Sequence, residues 1–334
     1  MHITFEAVSE DQPALKWQSI FKRSWPSYKK WYLSDGLRER PTYGACLRKL
    51  KEHMPEIIPA YETLCELAGG GDLEARFLSL YNPPAYISGC SQIVWPSPST
   101  RLIRNYDYSP RLLDGMILKS KWLDHHVISF SDCLIGTLDG INESGLCLSL
   151  TFGGSRQVGD GFGIPIILRY ILETCVTARQ AEKALKRIPI HNAYNVSVLD
   201  ENNKFFTAHL FPGQDTIIQK NKRIATNHQP FGENWKSYAK ASATLEREVV
   251  LENLLEKSEN PDYQVLEKFH SPPLYSTNYK RGFGTLYTSV YYPAEKLLEI
   301  CWPDSNWILG FEHFTQGQRT IQYQSSGAIT LQAV

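Results

Sequence analysis

Apolar positions in the first eighty residues recur at helical intervals. In AVSEDQPALKWQSIFKRSW, Leu15, Ile20 and Phe21 follow a Ser/Asp start at loosely helical spacing, and TYGACLRKLKEHMPEIIPAYETLCELAGGG continues with apolar residues three and four apart. No strand-like alternation interrupts this pattern. The region is therefore predicted to be helical, with Gly69 to Gly71 acting either as a helix stop or as a flexible connector.

From Tyr86 onward, short β-rich runs come in blocks that are separated by helices. Strands are predicted in ISGCSQIVW, RLIRNYDY, HVISFSDCLIGTLDGIN and GLCLSLTFGG, and hairpins in AYNVSVLDENNKFFTAHLFP and GTLYTSVYYPAEKLLEICW. TIIQKNKRIATNHQ is interpreted as a further strand pair. Helices are predicted in IPIILRYILETCVTARQAEKALKRI (two, the second starting near Thr177) and SYAKASATLEREVVLENLLEK. Because strands and helices do not strictly alternate, a layered α+β architecture is favoured.

Charge and termini exclude several classes of protein. The 334 residues carry 35 Lys plus Arg and 35 Asp plus Glu, and this balance disfavours a nucleic acid or an anionic membrane as the main partner. Glu6, Glu10 and Asp11 interrupt the stretch where a signal peptide needs an apolar run. No segment approaches the roughly eighteen apolar residues of a membrane span. We therefore expect a cytoplasmic protein.

Cysteine usage points to one unusual position. The seven cysteines include no CxxC and no paired Cys/His spacing typical of zinc, so neither a metal nor another cofactor is expected. Cys90 stands apart because Gly89 precedes it and a polar cluster, Arg104 to Asp107, follows it. The others lie mostly in apolar runs and are predicted to be core residues, as for Cys133, Cys147, Cys175 and Cys301.

Two routes could make Cys90 a nucleophile. A histidine could act as its base, and nine histidines are available, although none sits in a recognisable cysteine-protease signature. Alternatively, cleavage after Gly89 would give Cys90 a free α-amine with a pKa of about 8. This amine could take the proton of its own thiol. Glycine suits such cleavage because it lacks a Cβ and tolerates a strained backbone. Both routes remain open at this point.

Four motifs, taken in order, resemble those of a known family. Gly89-Cys90, Arg104-Asn105-x-Asp107, GINESGLCLSL and ATNHQ are similar to the acyl-coenzyme A:6-aminopenicillanic acid acyltransferase family of N-terminal nucleophile hydrolases. That family is related to the choloylglycine (bile-salt) hydrolases and the penicillin V acylases. The resemblance covers about Tyr86 to Trp302. It implies a four-layer αββα fold made as an inactive precursor, with a helical pro-segment (1–89) that stays bound after self-cleavage and a catalytic core (90–334).

The resemblance also implies roles for individual residues. Cys90 would be both the processing residue, cut from Gly89, and the acyl-accepting nucleophile. Asp107 would hold the new α-ammonium group, and Asn227 would donate its side-chain amide to the oxyanion. Arg104 matches an arginine of the bile-salt hydrolase branch and is a further catalytic candidate.

The chain departs from the family pattern at two points. Leu150-Thr151-Phe152 stands where the bile-salt enzymes carry a second oxyanion asparagine, so a backbone N–H or the Thr151 hydroxyl would have to substitute. Thr151 and Phe152 are accordingly candidate substrate contacts. The family's Ser-x-x-Arg appears as Thr244-x-x-Arg247, and Arg247 is either a site arginine or a charge on a helix surface.

Two further polar residues, Asn195 and His228, could each be a site residue or a structural one. Asn195, inside AYNVSVLD, is interpreted as a strand residue rather than a site amide. His228 either touches the substrate or packs in a loop.

The predicted function is hydrolysis of a linear, non-peptide amide through a Cys90 thioester. The alternatives are acyl transfer to an amine, from an amide or from a thioester such as acyl-coenzyme A, which would enter only as a substrate, and a non-catalytic scaffold on the same fold. A cysteine hydrolase with a histidine base is a further alternative. The expected partners are a small acyl amide, the protein's own cleaved segment and, as an open option, further copies of the chain.

Overall fold

The computed structural model describes residues 1–85, 89–96, 98–230, 242–257, 262–281 and 283–323. Within these ranges the chain forms two β-sheets with helices on their outer faces. None of the helices in the described ranges is both long and apolar enough to cross a membrane.

A nine-stranded sheet forms one central layer. Its strands are β1 (His2–Ser9), β4 (Met116–Ser120), β5 (Val127–Asp132), β6 (Gly136–Asn142), β7 (Cys147–Phe152), β8 (Tyr194–Leu199), β9 (Phe205–Leu210), β10 (Ile217–Gln219) and β15 (Gly317–Gln322). They are arranged in the order β10-β9-β8-β7-β6-β5-β4-β1-β15. Neighbouring strands are antiparallel except β1 and β4, which run parallel.

A six-stranded antiparallel sheet forms the other central layer. It contains β2 (Gly89–Trp95), β3 (Arg101–Tyr108), β11 (Ile224–Ala225), β12 (Gly284–Tyr292), β13 (Leu297–Trp302) and β14 (Ser305–Gly310), in the order β11-β2-β3-β12-β13-β14. β2, which carries Cys90, lies between β11 and β3. Cys90 therefore lies on an interior strand of this sheet.

Helices cover the outer faces. α5 (Ile164–Thr174) and α6 (Ala178–Arg187) pack on the nine-stranded sheet, and α7 (Thr244–Glu256) and α8 (Asp262–Phe269) pack on the six-stranded sheet. Leu251 and Leu254 of α7 join Ile93 and Ile103 in a buried apolar cluster. The predicted αββα layering is confirmed.

The inner faces of the two sheets meet through polar as well as apolar side chains. Gln92 of β2 accepts a hydrogen bond from Ser149 (2.6 Å) and donates one to Ser197 (2.8 Å) on the opposite sheet. Arg104 of β3 reaches across in the same way to Asp139 of β6. A buried polar group is costly unless it is paired, so these contacts hold the sheets in one register beside Cys90.

The N-terminal segment is not purely helical. It contains α1 (Leu15–Tyr32), α2 (Tyr43–His53), α3 (Ile58–Leu67) and α4 (Asp72–Leu78), but the prediction that no strand precedes them is wrong. β1 lies between β4 and β15 inside the nine-stranded sheet. Gly115, with φ +66°, permits this insertion because a Cβ there would meet the Thr4 carbonyl at 2.8 Å.

Most other predictions of local structure agree with the structure. The triple glycine ends α3, since Gly69 (φ +101°) donates to the Glu66 carbonyl, and Thr177 caps α6. The two predicted hairpins are β8–β9 and β12–β13.

The predicted pairing of Thr216 to Gln229 is wrong, because β10 pairs with β9 and β11 pairs with β2, in different sheets. The helix predicted over 237–257 is confirmed as α7, and residues 231–241 lie outside the described residues.

Candidate active site

Cys90 is fully buried near the start of β2, opposite Tyr106 of β3. Its sulfur accepts a hydrogen bond from the Arg104 guanidinium, with Nη2 and Sγ 3.2 Å apart. A permanently charged donor at this distance stabilises a thiolate relative to a thiol. The structure therefore places Arg104 next to Cys90.

Arg104 is held in place by several contacts. Its Nη1 donates to Asp139 Oδ1 (2.9 Å) and to the Tyr287 hydroxyl (3.1 Å), its Nε donates to the Leu150 carbonyl (3.0 Å), and the group stacks over Tyr106 (4.6 Å). Burial acts to lower its pKa, but the charges of Cys90 and Asp139 outweigh burial and raise the pKa above its usual range. The guanidinium is therefore a fixed positive charge beside the sulfur.

Asp139 is the site-supporting residue that sequence reasoning missed. It is completely buried in β6 and accepts hydrogen bonds from Arg104, from the Tyr287 hydroxyl (2.9 Å) and from Ser289 Oγ (2.6 Å). The available signal was a single charged residue inside the predicted strand TLDGIN. A carboxylate rarely lies in such a strand without a cationic partner.

Arg247 is buried against Cys90 and does not lie on the helix surface. It reaches inward from α7 and is 3% exposed. Its Nη1 donates to the Cys90 carbonyl (2.8 Å) and Ser91 Oγ (2.9 Å) and lies 3.3 Å from Asp107 Oδ2, while its Nη2 donates to Asn227 Oδ1 (2.7 Å). One side chain thus ties three of the predicted site residues together.

Asp107 lies beside the Gly89–Cys90 bond, because Gly89 is its direct partner across the β2–β3 pairing. Thr285 Oγ1 donates to its Oδ1 at 2.6 Å. Burial raises the pKa of Asp107, and Arg247, Thr285 and Arg104 oppose that rise. Gly89 fits here only without a side chain, since a Cβ would overlap the Phe283 ring and approach the Asp107 Cβ at 3.0 Å.

Asn227 also contacts Cys90. Its Oδ1 accepts a hydrogen bond from the Cys90 backbone N–H (2.9 Å), and its Nδ2 donates a long hydrogen bond to the Phe152 carbonyl (3.3 Å). The backbone of Asn227 is fixed by Thr244 Oγ1 (2.7 Å). The side chain of Asn227, which was predicted to donate to an oxyanion, is therefore held against the backbone of Cys90.

The Leu150-Thr151-Phe152 segment packs against the chain around Asn227 and accepts its side-chain hydrogen bond. Thr151 Oγ1 donates to the Thr226 carbonyl (2.7 Å) and accepts from Asn195 Nδ2 (3.0 Å), so its proton is engaged with the chain. Phe152 packs edge-on against Tyr194. Asn195 lies in β8, as interpreted, and also donates to the carbonyls of Thr226 and His228 (3.0 Å each).

Two histidines lie in the layer around Asn227. His228 Nε2 is 3.1 Å from Glu248 Oε2, and this contact is the main cause that lowers the pKa of Glu248 to about 2. His209 Nδ1 hydrogen bonds to Asn195 Oδ1 at 2.8 Å. In these contacts both rings support neighbouring polar groups, whereas the group 3.2 Å from the Cys90 sulfur is Arg104.

Three solved structures are similar to this chain. A mutant conjugated bile acid hydrolase from Clostridium perfringens matches 71% of this chain and 97% of its own at 10% identity (TM-score 0.47). A penicillin V acylase from Agrobacterium tumefaciens matches 69% and 90% at 15% identity (0.42). A Caenorhabditis elegans orthologue of N-acylethanolamine-hydrolyzing acid amidase matches 66% and 99% at 17% identity (0.45). No curated protein sequence matches the chain.

A family model gives the assignment. The model of the acyl-coenzyme A:6-aminopenicillanic acid acyl-transferases matches residues 95–307, which is more than half of the chain. The matched range includes Arg104, Asp107, Asn227 and Arg247 and starts after Cys90. These residues surround Cys90 in space, so the match and the site geometry concern the same region of the fold. The chain belongs to the acyl-coenzyme A:6-aminopenicillanic acid acyl-transferase family.

Proposed function

We propose that this protein is a cysteine N-terminal nucleophile enzyme that cuts itself between Gly89 and Cys90 and then cleaves a linear, non-peptide amide through a Cys90 thioester. The observation that carries the proposal is the 3.2 Å contact between Arg104 Nη2 and the buried Cys90 sulfur. The 2.9 Å hydrogen bond from the Cys90 N–H to Asn227 supports it. Together they engage both groups of Cys90 that the mechanism uses.

Self-cleavage would begin with attack of the Cys90 sulfur on the Gly89 carbonyl carbon. The bond from Gly89 to the Cys90 nitrogen breaks, the thiol proton passes to that nitrogen, and a thioester forms. Water then hydrolyses the thioester, which releases the N-terminal segment with a Gly89 carboxyl group and restores the Cys90 thiol. Arg247 holds the Cys90 carbonyl (2.8 Å) and Asn227 holds its nitrogen (2.9 Å). Fixing the reacting residue in this way removes part of the entropic cost of the attack.

Amide cleavage would use the α-amine that self-cleavage exposes. The amine takes the thiol proton, the thiolate attacks the substrate carbonyl, and Asn227 Nδ2 donates to the resulting oxyanion, a contact typically worth about 3 kcal/mol of barrier. The protonated amine then gives its proton to the leaving amine, and water hydrolyses the thioester. Asn227 Oδ1 and Asp107 would orient the ammonium group.

Acyl transfer is the second candidate, and the family's name favours it. It shares every step up to the thioester, after which an amine rather than water attacks. A non-catalytic scaffold fits less well, because burying Arg104, Asp139, Asp107 and Arg247 around a cysteine costs folding free energy that a scaffold has no need to spend.

Trapping the acyl group on Cys90 tests the proposal. Purified protein would be incubated with fatty-acyl, aryl-acetyl and bile-acyl amides, and the release of amine would be assayed. The mass of the denatured protein would then be measured by mass spectrometry. We expect amine release with an acyl adduct on the fragment that begins at Cys90. Cys90→Ala should show neither, and added hydroxylamine should divert the acyl group if transfer is accessible. Amide cleavage by Cys90→Ala at the wild-type rate would contradict the proposal.

A further inference from the structure

A second polar site lies outside the Cys90 cluster. A cavity of about 530 Å3 opens between the N-terminal segment and the core. Its lining comes from β1 and α1 on one side, and from the end of β3, the connection to β4 and the end of β5 on the other. None of the residues assigned to catalysis lines it.

The floor of this cavity carries two carboxyl groups, Asp114 and Asp132. The Tyr28 hydroxyl donates to Asp114 Oδ2 (2.5 Å) and accepts from the Cys133 N–H (2.9 Å). The Cys133 thiol, a weak donor, hydrogen bonds to Asp132 Oδ2 at 3.3 Å. The Tyr28 hydroxyl and the Cys133 thiol are thus donors to these two acids, of which Asp132 is buried and Asp114 is half-buried.

The two carboxyl groups are not balanced by a cation. Among the described residues no Lys, Arg or His forms an ion pair with either group, and the longer-range charge of Arg23 only partly opposes the rise that burial causes in the pKa of Asp114. Asp132 is 4% exposed, and its neighbouring donors are the Cys133 thiol, the Cys133 backbone N–H and the Tyr28 hydroxyl. Burial is the main cause that raises the pKa of Asp114 to about 6 and that of Asp132 to about 8, with the charge of Asp114 adding to the second rise. Near neutral pH the pair therefore holds about one proton.

The walls of the cavity are partly aromatic, and its positive charges lie at the rim. Tyr28, Trp31 and Tyr108 present aromatic surface to the cavity, and aromatic faces attract organic cations. The positive groups lie at the rim: Arg23 is well exposed and pairs with Glu6 at 3.5 Å, and Arg111 is exposed. The buried end is acidic, so the cavity is better matched to an amine entering with its ammonium group first than to an anion.

We propose that this cavity binds a primary ammonium ligand, with the ammonium group on Asp114 and Asp132 and an apolar or aromatic body against Trp31 and Tyr108. The ammonium hydrogens donate to carboxylate oxygens, and the proton shared by the acids leaves to solvent as the ligand binds. The binding does not depend on amide cleavage at Cys90. Tyr108 stacks on Tyr106 (5.6 Å), the partner of Cys90 across β2–β3, so the ligand would lie in the layer next to the nucleophile.

Calorimetric titration of the full chain with benzylammonium tests this site, with benzyl alcohol and phenylacetate as neutral and anionic probes of similar shape. At about pH 7, in two buffers that differ in ionisation enthalpy, we expect benzylammonium alone to bind and to release up to about one proton. Its affinity should rise by about tenfold or more between about pH 5.5 and 7.5. Cys90→Ala should bind it equally well, which separates this site from the proposed catalysis.

Substitution of the floor makes the test specific. Asp132→Asn should weaken benzylammonium binding by about tenfold or more, because an interaction with a charged group is lost. Asp72→Asn, at an exposed carboxylate of α4, should leave the affinity within about twofold. Thermal melts would show that both variants are folded. Absence of benzylammonium binding, equal or tighter binding of phenylacetate, or unchanged affinity in Asp132→Asn would each overturn the proposal.

Discussion

The protein buries two polar clusters that differ in how their charges are matched. Around Cys90, each carboxylate faces a guanidinium: Asp139 faces Arg104 at 2.9 Å and Asp107 faces Arg247 at 3.3 Å. Around Tyr28, the carboxyl groups of Asp114 and Asp132 share a hydroxyl and a thiol and open on a cavity. The first cluster is buried between the two sheets, whereas the second lies where the N-terminal segment meets the core and is partly open.

The difference indicates what each cluster is suited to do. Matched ions with several hydrogen bonds each form a rigid, preorganised environment, in which charge that develops on a sulfur or an oxygen is stabilised without rearrangement. Unmatched acids must instead keep a proton or acquire a cation. The first arrangement suits chemistry at a fixed nucleophile, whereas the second suits binding that is linked to protonation.

The largest effect is expected when a matched pair is broken. Arg104→Met leaves Asp139 buried without its cation, so we expect a loss of about 3–5 kcal/mol in the free energy of unfolding, measured in urea, together with loss of self-cleavage. Arg104→Met combined with Asp139→Asn removes both charges. It should recover much of the stability but none of the cleavage. Self-cleavage of Arg104→Met at the wild-type rate would show that the guanidinium is not needed at the sulfur.

Asn227 should give the next largest effect on catalysis. Asn227→Asp keeps an acceptor for the Cys90 N–H and for Arg247 but removes the Nδ2 donor. We expect kcat for amide cleavage to fall by about 10²–10³, as for loss of one oxyanion donor. Asn227→Ala should fall at least as far. A wild-type kcat in Asn227→Asp would place the oxyanion donor elsewhere.

Gly89→Ala tests how tightly the Gly89–Cys90 bond is enclosed. The added Cβ would overlap the Phe283 ring, and strain of this kind should slow self-cleavage by about tenfold or more. The time course of the fragments by mass spectrometry measures this rate. Combining Gly89→Ala with Phe283→Ala should restore much of it. If the double variant is as slow as Gly89→Ala, steric overlap with Phe283 is not the cause.

The unmatched cluster should reveal itself in the pH dependence of stability. Since folding raises the pKa of Asp132 to about 8, the unfolded chain ionises at lower pH than the folded chain, and stability falls as pH rises from about 4 to about 8. Asp132→Asn should therefore melt higher than wild type at pH 8 and differ least near pH 4. Asp72→Asn is the matched control. Parallel melting curves for wild type and Asp132→Asn would refute an unpaired, protonated Asp132.

The smallest effect is expected at His228. It pairs with Glu248, so His228→Gln should leave self-cleavage within about twofold and cost about 1 kcal/mol or less in urea unfolding. Intact mass and amine release would be followed in the same preparation. Loss of amide cleavage in this variant would favour a histidine base for Cys90.

Local patterns predicted the hairpins, the paired helices and the layer order, because each depends on neighbouring residues. They missed β1, whose partners β4 and β15 lie more than a hundred residues further along the chain, so no local signal reports the pairing. The short run with β10 and β11 was misassigned for a similar reason. Its two halves pair in different sheets, which depends on tertiary packing rather than on alternation.

The candidate site residues also differ in how far local sequence could predict them. Cys90, Arg104, Asp107 and Asn227 were identifiable because they sit in motifs with fixed order. Arg247 stayed ambiguous because a helix pattern does not say which face is buried, and its contacts to Cys90, Asp107 and Asn227 come from three separate parts of the chain. Asp139 is different, because a lone carboxylate inside a predicted strand was a readable signal for a buried ion pair.

The intact mass of freshly purified protein, compared with Cys90→Ala, tests the central claim most directly. The account predicts two wild-type fragments, Met1 to Gly89 and Cys90 to the C-terminus, that co-purify, and a single uncut chain for Cys90→Ala. N-terminal sequencing of the larger fragment should begin at Cys90. A single uncut wild-type chain that nevertheless hydrolyses amides would contradict the N-terminal nucleophile mechanism.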